Sequence, residues 1–186
     1  MRLGRVISAA VTALLAGALT PPGIAGAEAL HNRCVAPTIS QDMLTTHNKY
    51  RARHGASPLM LDATVSAWAQ EWANSIASSK NFAHRPNNKY GENLHTSWSS
   101  DTSRQLGGAP VVQSWYDEIK DYDFDNPDSN MVNFSRFGHF TQVVWKGSSR
   151  MGIGAACNGS TAYVVANYDP AGNMAGRFAE NVGRLG

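Results

Sequence analysis

The apolar positions of this chain follow a helical period through its first half and again near residues 138–145, and a strand period after residue 150. Met43, Leu44, His47 and Tyr50 share one face of a helix predicted between Ser40, which suits an N-cap, and Gly55, which suits a stop. After the linker Ala56–Leu61, Asp62 can cap a second helix. Its stripe of Val65, Trp68, Ala69, Trp72 and Ile76 keeps the 3.6-residue spacing most cleanly and predicts a core role for both tryptophans. Pro110 suits the first turn of a third helix, with Val111, Val112, Trp115, Ile119 and Tyr122 as its buried face. A fourth is predicted over Gly138–Trp145. Met151–Cys157 and Thr161–Tyr168 read as strands joined by an Asn158-Gly159 hairpin turn, and Leu94–Trp98 as a shorter strand. The segments 82–89, 99–108 and 124–136 carry the proline, glycine and asparagine of loops. Helices around a small mixed or antiparallel sheet give an α+β fold.

Two polar residues interrupt this pattern. Glu118 lies three residues after Trp115 and four before Tyr122, so it points toward the core side of its helix. A carboxylate there is costly without a partner. His139 opens the fourth helix beside Gln142 and Val143, on the border between a buried and an accessible face. Such a histidine is either a satisfied core residue or a functional group.

The amino terminus changes the picture of charge and compartment. Arg2 and Arg5 precede an apolar run, Val6–Leu19, and the small residues Ala25-Gly26-Ala27. This is the pattern of a secretory signal peptide over residues 1–27, followed by an irregular lead-in over 28–39 and one domain over 40–186. Loss of the leader removes two arginines and no acid, which takes the formal charge from +2 to zero. With no basic cluster, nucleic acid is excluded as the main partner, and the apolar run is short for a membrane span, with an uncleaved anchor as the alternative to a cleaved leader. The acidic run from Asp117 to Asp128 lacks the ligand spacing of a calcium loop and reads as a solvated face. Cys34 and Cys157 are the two cysteines, expected to form one disulfide in an oxidising compartment, with free or intermolecular thiols as the alternative. Asn133-Phe134-Ser135 and Asn158-Gly159-Ser160 are glycosylation acceptors if the source is eukaryotic.

Four separated motifs then agree. His47-Asn48-Lys49-Tyr50-Arg51 resembles an HNxxR signature, Gly91-Glu92-Asn93-Leu94 a GEN[LIV] signature and Gly138–Trp145 a GHFTQ-type signature. Val164–Asn173 resembles the last signature of the same set. In this order they resemble the CAP superfamily of cysteine-rich secretory proteins, venom antigen 5 and plant pathogenesis-related class 1 proteins, over about Gln41 to Val182. The resemblance implies a three-layer α-β-α sandwich. It also implies a cleft shared by His84, Glu92, Glu118 and His139, which would explain the inward Glu118. Two imidazoles and two carboxylates can hold zinc or another divalent cation, act as an acid–base set, or form a structural network.

The aromatic run Tyr122, Phe124, Phe134, Phe137 and Phe140 resembles the region that secreted yeast-type members use for sterols, while other relatives hold fatty acyl chains. A loop with aromatic anchors can close over such a ligand, or the rings can simply pack the loop onto the core. The expected function is therefore extracellular binding of a sterol or other lipid, with a divalent-cation site, in defence, virulence or signalling. A metal-dependent hydrolase is the alternative, although no activated nucleophile or GxSxG elbow is present. A ligand for a cell-surface protein, acting through loops such as 99–108, is another. The chain departs from many relatives in having Ala166 where they carry cysteine, and two cysteines where they have about six. In this it looks more like the Golgi-associated branch, which lacks a signal peptide. It ends without a cysteine-rich module, so ion-channel blocking is not implied.

Overall fold

The computed structural model describes residues 34–101, 103–128 and 131–186. The leader and the first residues of the lead-in lie outside them. Helix α1 spans Ile39–Arg53, starting one residue before the expected cap. Thr38 precedes it, with its hydroxyl donating to Asp42 at 2.9 Å. Gly55 follows its C-terminus at φ +63°, a left-handed conformation that suits glycine. Strand β1, Met60–Leu61, lies in what the sequence pattern makes a linker; its two residues are too few to show a period.

Helix α2, Ala63–Ser79, begins where Asp62 accepts the Val65 N–H at 2.9 Å. Its buried face is Val65, Ala69, Ala73, Ile76 and Ala77, and both tryptophans are only half-buried at the rim. The reason is the closeness of the sheet. A Cβ at Gly152 would sit 2.1 Å from the Val65 carbonyl carbon, and one at Gly154 2.3 Å from that of Ala69. Only glycine facing a small-residue stripe permits this approach, so the indoles turn outward.

Strand β2 spans Gly91–Trp98, three residues longer at its start than the pattern suggests, because Gly91, Glu92 and Asn93 pair with Tyr168, Asn167 and Ala166. Helix α3, Gly108–Tyr116, tightens into a 3-10 turn over Asp117–Asp121, which carries Glu118. The next loop contains another 3-10 segment, Met131–Arg136, that the pattern does not predict. Then come α4 (Gly138–Val144), β3 (Arg150–Asn158), β4 (Thr161–Asp169) and the short α5 (Phe178–Asn181). The β3–β4 turn is Gly159-Ser160, one residue later than expected. Asn158 still pairs with Thr161, and Gly159 takes φ +58°.

The sheet order is β1-β3-β4-β2, with β1 parallel to β3 and the other pairs antiparallel. Helix α2 covers one face through a core that includes Ala69, Ala73, Ile76, Leu94 and Val165. The other face packs against α1, α3 and α4 through a larger core that includes Met43, Val111, Trp115, Phe140, Ile153 and Tyr168. This is the expected three-layer sandwich. Cys34 and Cys157 form a disulfide, Cα–Cα 6.0 Å, so the lead-in is bonded to β3. Among the described residues no helix is long and apolar enough to cross a membrane.

Candidate functional site

The four residues singled out above form two His–Glu pairs that flank the start of β2. In the first, His84 Nδ1 lies 2.8 Å from Glu92 Oε1. The same oxygen accepts the Arg85 backbone N–H at 3.0 Å, and Oε2 accepts Asn88 Nδ2 at 2.8 Å and Asn167 Nδ2 at 3.3 Å. Glu92 is thus buried and saturated, while 65% of the His84 side chain is exposed. Arg85 fixes the loop from the other side. Its guanidinium lies over the Trp68 ring at 3.6 Å, donates to the Trp68 carbonyl at 2.9 Å and pairs with Glu71 at 3.0 Å. The rim position of Trp68 therefore serves the His84 loop.

In the second pair, Glu118 Oε1 accepts from His139 Nδ1 at 2.7 Å, and Oε2 accepts the backbone N–H of His139 at 3.0 Å and of Phe140 at 3.4 Å. Glu118 caps the first turn of α4, which has no partner of its own for those N–H groups. That is why an inward carboxylate is tolerated. The His139 ring stacks on Trp115 at 6.0 Å between centroids.

A carboxylate only accepts, so both imidazoles donate from Nδ1, and in the neutral ring each carries its lone pair on Nε2. The hydrogen bond that His84 donates to Glu92 raises its pKa above the usual histidine value, against the opposing effect of burial. The four groups do not merge into one ligand cluster. Among the described residues no three or more His, Cys, Asp or Glu side chains are arranged to hold a metal ion. Both glutamates are spent on hydrogen bonds, which leaves the two imidazoles as the groups open to a cation.

The sequence pattern does not single out His95. It lies two residues after Asn93 on the same face of β2, donates to Ser114 at 3.3 Å and meets the Trp115 ring at 6.5 Å. Burial, then the neighbouring His139, lowers its pKa. The two-residue alternation along β2 is the signal that could have found it.

Behind the pairs, one buried chain of hydrogen bonds joins all four motifs. Asn93 Nδ2 donates to the His139 carbonyl at 3.0 Å and to the Tyr168 hydroxyl at 3.2 Å. Tyr168 meets His47 Nε2 at 2.8 Å, and His47 Nδ1 meets the Met43 carbonyl at 2.7 Å. Burial holds the His47 pKa down to about 4, so the ring is neutral. Its single N–H goes to Met43, so Tyr168 is the donor to Nε2. Arg51 is fully buried and donates to the carbonyls of Ser57, Val143, Trp145 and Ser148. Gln142 bridges Ser148 and Gly172.

The aromatic run is packed. Tyr122, Phe137 and Phe140 are buried, and Phe124 and Phe134 lie against the same core. Tyr122 meets Phe124, Phe137 and Phe140 at 4.8, 5.4 and 5.7 Å. Gly138 is needed here, because a Cβ would meet the Phe134 ring at 2.8 Å. The Tyr122 hydroxyl is buried without a hydrogen-bond partner among the described residues. Burial, with Asp128 and Asp123 nearby, pushes its pKa up to about 12.

Residues 44–168 match the model of the cysteine-rich secretory protein family, CAP. The human Golgi-associated plant pathogenesis-related protein 1 is 39% identical over 147 residues, covering 76% of this chain and 90% of that protein. Secreted protein RBT4 of Candida albicans is 39% identical over 140 residues, covering 74% of this chain but only 36% of its own length. The solved structure of BmVAL-1 aligns with a TM-score of 0.64 and 27% identity, over 82% of this chain and 84% of that one. The order of the motifs, the hydrogen-bond chain that joins them and these likenesses agree: the chain belongs to the CAP family.

Proposed function

We propose that this chain is the binding domain of a secreted CAP protein. In this reading it takes up a divalent cation, zinc by its donor chemistry, at the imidazoles of His84 and His139. The observation that carries the reading is that each ring donates its Nδ1–H to a glutamate, so that the lone pair of the neutral ring lies on Nε2. A carboxylate behind a histidine is the arrangement that raises ligand basicity and fixes the ring for a metal. Two imidazoles are an incomplete set, so the site suits an exchangeable ion better than a structural one. Bound there, the cation would supply a Lewis-acidic charge. The residues themselves orient the rings and hold the α4 terminus. The Candida relative is a secreted protein by name, and secretion of this chain agrees with the leader pattern in its sequence and with the disulfide.

The test is a calorimetric zinc titration of the mature protein beside a His84→Ala/His139→Ala variant. Binding by the wild type and none by a folded variant is the expected result. No binding by the wild type returns the pairs to a structural role.

A lipid reading rests on a different observation, the partnerless Tyr122 hydroxyl among aromatic rings beneath the loop. A sterol or fatty-acyl ligand would bring a polar head to that oxygen and an apolar body to the rings, with the loop lifting to admit it. Retention of labelled cholesterol or palmitate by the pure protein, lost in Tyr122→Phe, is expected. Failure of both ligands to bind ends this reading and leaves the metal reading intact.

A further inference from the structure

The far end of β2 carries a feature that neither pair uses. Trp98, the last residue of the strand, is 69% exposed. It stands at a cavity of about 400 Å³ whose lining also includes Ser97, Ser99, Asp101, Arg104 and Ser160. The walls are tied together. Cys34 lines the cavity and is bonded to Cys157 in β3. Leu106 donates to the Cys34 carbonyl at 2.8 Å and accepts from Ala36 at 2.9 Å. Ser99 donates to the Ser160 carbonyl at 3.2 Å, which joins the strand end to the β3–β4 turn. A concavity braced by a disulfide and by backbone hydrogen bonds from three segments is pre-formed, which lowers the ordering cost of binding.

Its chemistry is mixed in a specific way. The indole offers a flat apolar face with solvent on it. The serines offer short hydroxyls. The Asp101 carboxylate is already engaged by the Ser103 N–H at 2.9 Å and hydroxyl at 2.6 Å. The Arg104 side chain, whose charge faces Asp101, has no hydrogen bond or ion pair of its own among the described residues. The cavity therefore pairs an aromatic platform and hydroxyls with a guanidinium open to an incoming anion. A ring with one apolar face, hydroxyls at its edge and a carboxylate satisfies all three.

We propose that this cavity binds an acidic saccharide, with the sugar ring on Trp98 and its carboxylate on Arg104. The site is separate from the His–Glu pairs, so the proposal does not rest on the metal or lipid reading.

The experiment is a calorimetric titration of the mature protein with a hyaluronan hexasaccharide, a sialylated trisaccharide and neutral chitohexaose. Trp98→Ala and Arg104→Gln are run beside the wild type, with melting temperature as the folding control. Trp98 is exposed and the Arg104 side chain makes no hydrogen bond or ion pair among the described residues, so both variants are expected to melt with the wild type. At least one acidic sugar should bind. Trp98→Ala should weaken it about tenfold or more, and Arg104→Gln should reduce it to the level of the neutral sugar. Preference for hyaluronan points to a uronic-acid polymer, and preference for the sialylated sugar to glycoprotein termini. No binding by either acidic sugar, binding that survives Trp98→Ala, or equal binding of chitohexaose overturns the assignment. The His84→Ala/His139→Ala variant should bind like the wild type.

Discussion

Tyr168 donates its hydroxyl hydrogen to Nε2 of His47 across 2.8 Å, from the last strand to the first helix of the fold. Both residues are fully buried, and burial raises the tyrosine pKa while lowering that of the histidine, so the proton stays on oxygen. Tyr168→Phe would leave His47 Nε2 without its donor and take one acceptor from Asn93. A buried polar group left unsatisfied costs about 1–3 kcal/mol. Urea unfolding should show a fall of that size with an unchanged slope. An unaltered midpoint would mean that a water replaces the hydroxyl.

The same histidine predicts a pH dependence. Its folded pKa is about 4 against an ordinary 6.5, so between those values the unfolded chain binds a proton that the native chain does not. Stability is then fully present above pH 6.5 and is lost as pH falls toward 4. The loss amounts to roughly 3 kcal/mol from this group. His54, also lowered by burial, adds in the same direction. Denaturation at pH 7, 5.5 and 4.5 should give a steeper acid loss for wild type than for His47→Gln. Parallel curves would remove His47 as the cause.

Arg51 is a buried cation that meets carbonyl oxygens instead of a carboxylate, and burial lowers its pKa to about 10. Arg51→Lys keeps the charge but cannot reach Ser57, Val143, Trp145 and Ser148 together. Two or more carbonyls left unpaired make a loss of about 3 kcal/mol or more the expected result. Thermal unfolding checks this, and a variant within about 1 kcal/mol of wild type would show that the site relaxes around lysine.

Glu118→Gln separates orientation from charge at the second pair. Glutamine has one acceptor oxygen and puts an NH2 donor in place of the other, so it cannot hold both His139 Nδ1–H and the α4 N–H groups as the two carboxylate oxygens do. On the proposed cation site, zinc affinity should fall about 10–100-fold, the usual effect of removing a group that orients a metal-binding histidine. Equal affinity in the variant would show that His139 does not depend on Glu118.

How far the sequence foretells this arrangement depends on the range of the interaction. Helix α2 and the β3–β4 hairpin are legible because period, cap and turn are local. The inward set of Glu118 is legible as a conflict with its helix, but its resolution is not. The partner is the terminus of α4, and that contact exists only once the fold is made. Trp68 and Trp72 look like core from spacing alone, yet glycines some 80 residues away at 152 and 154 draw the alanines of α2 inward instead. The pairing of Glu92 with His84, in a loop that Arg85 ties to Trp68 and Glu71, is a contact that no spacing records. The motifs are legible as a family pattern. That they form one hydrogen-bonded chain is a property of the packed layers.

The bond between Cys34 and Cys157 closes a covalent ring of 123 residues' separation around α1, α2, α3 and α4. The exposed loop at Asp101, Ser103 and Arg104 lies inside that ring. A single protease cut there opens the ring without releasing a fragment. The two pieces stay tethered through sulfur, and the sheet remains one unit on both sides of the nick. Digestion in such a loop would therefore go undetected on a non-reducing gel and show only under reduction. The disulfide thus acts as insurance against the first cut.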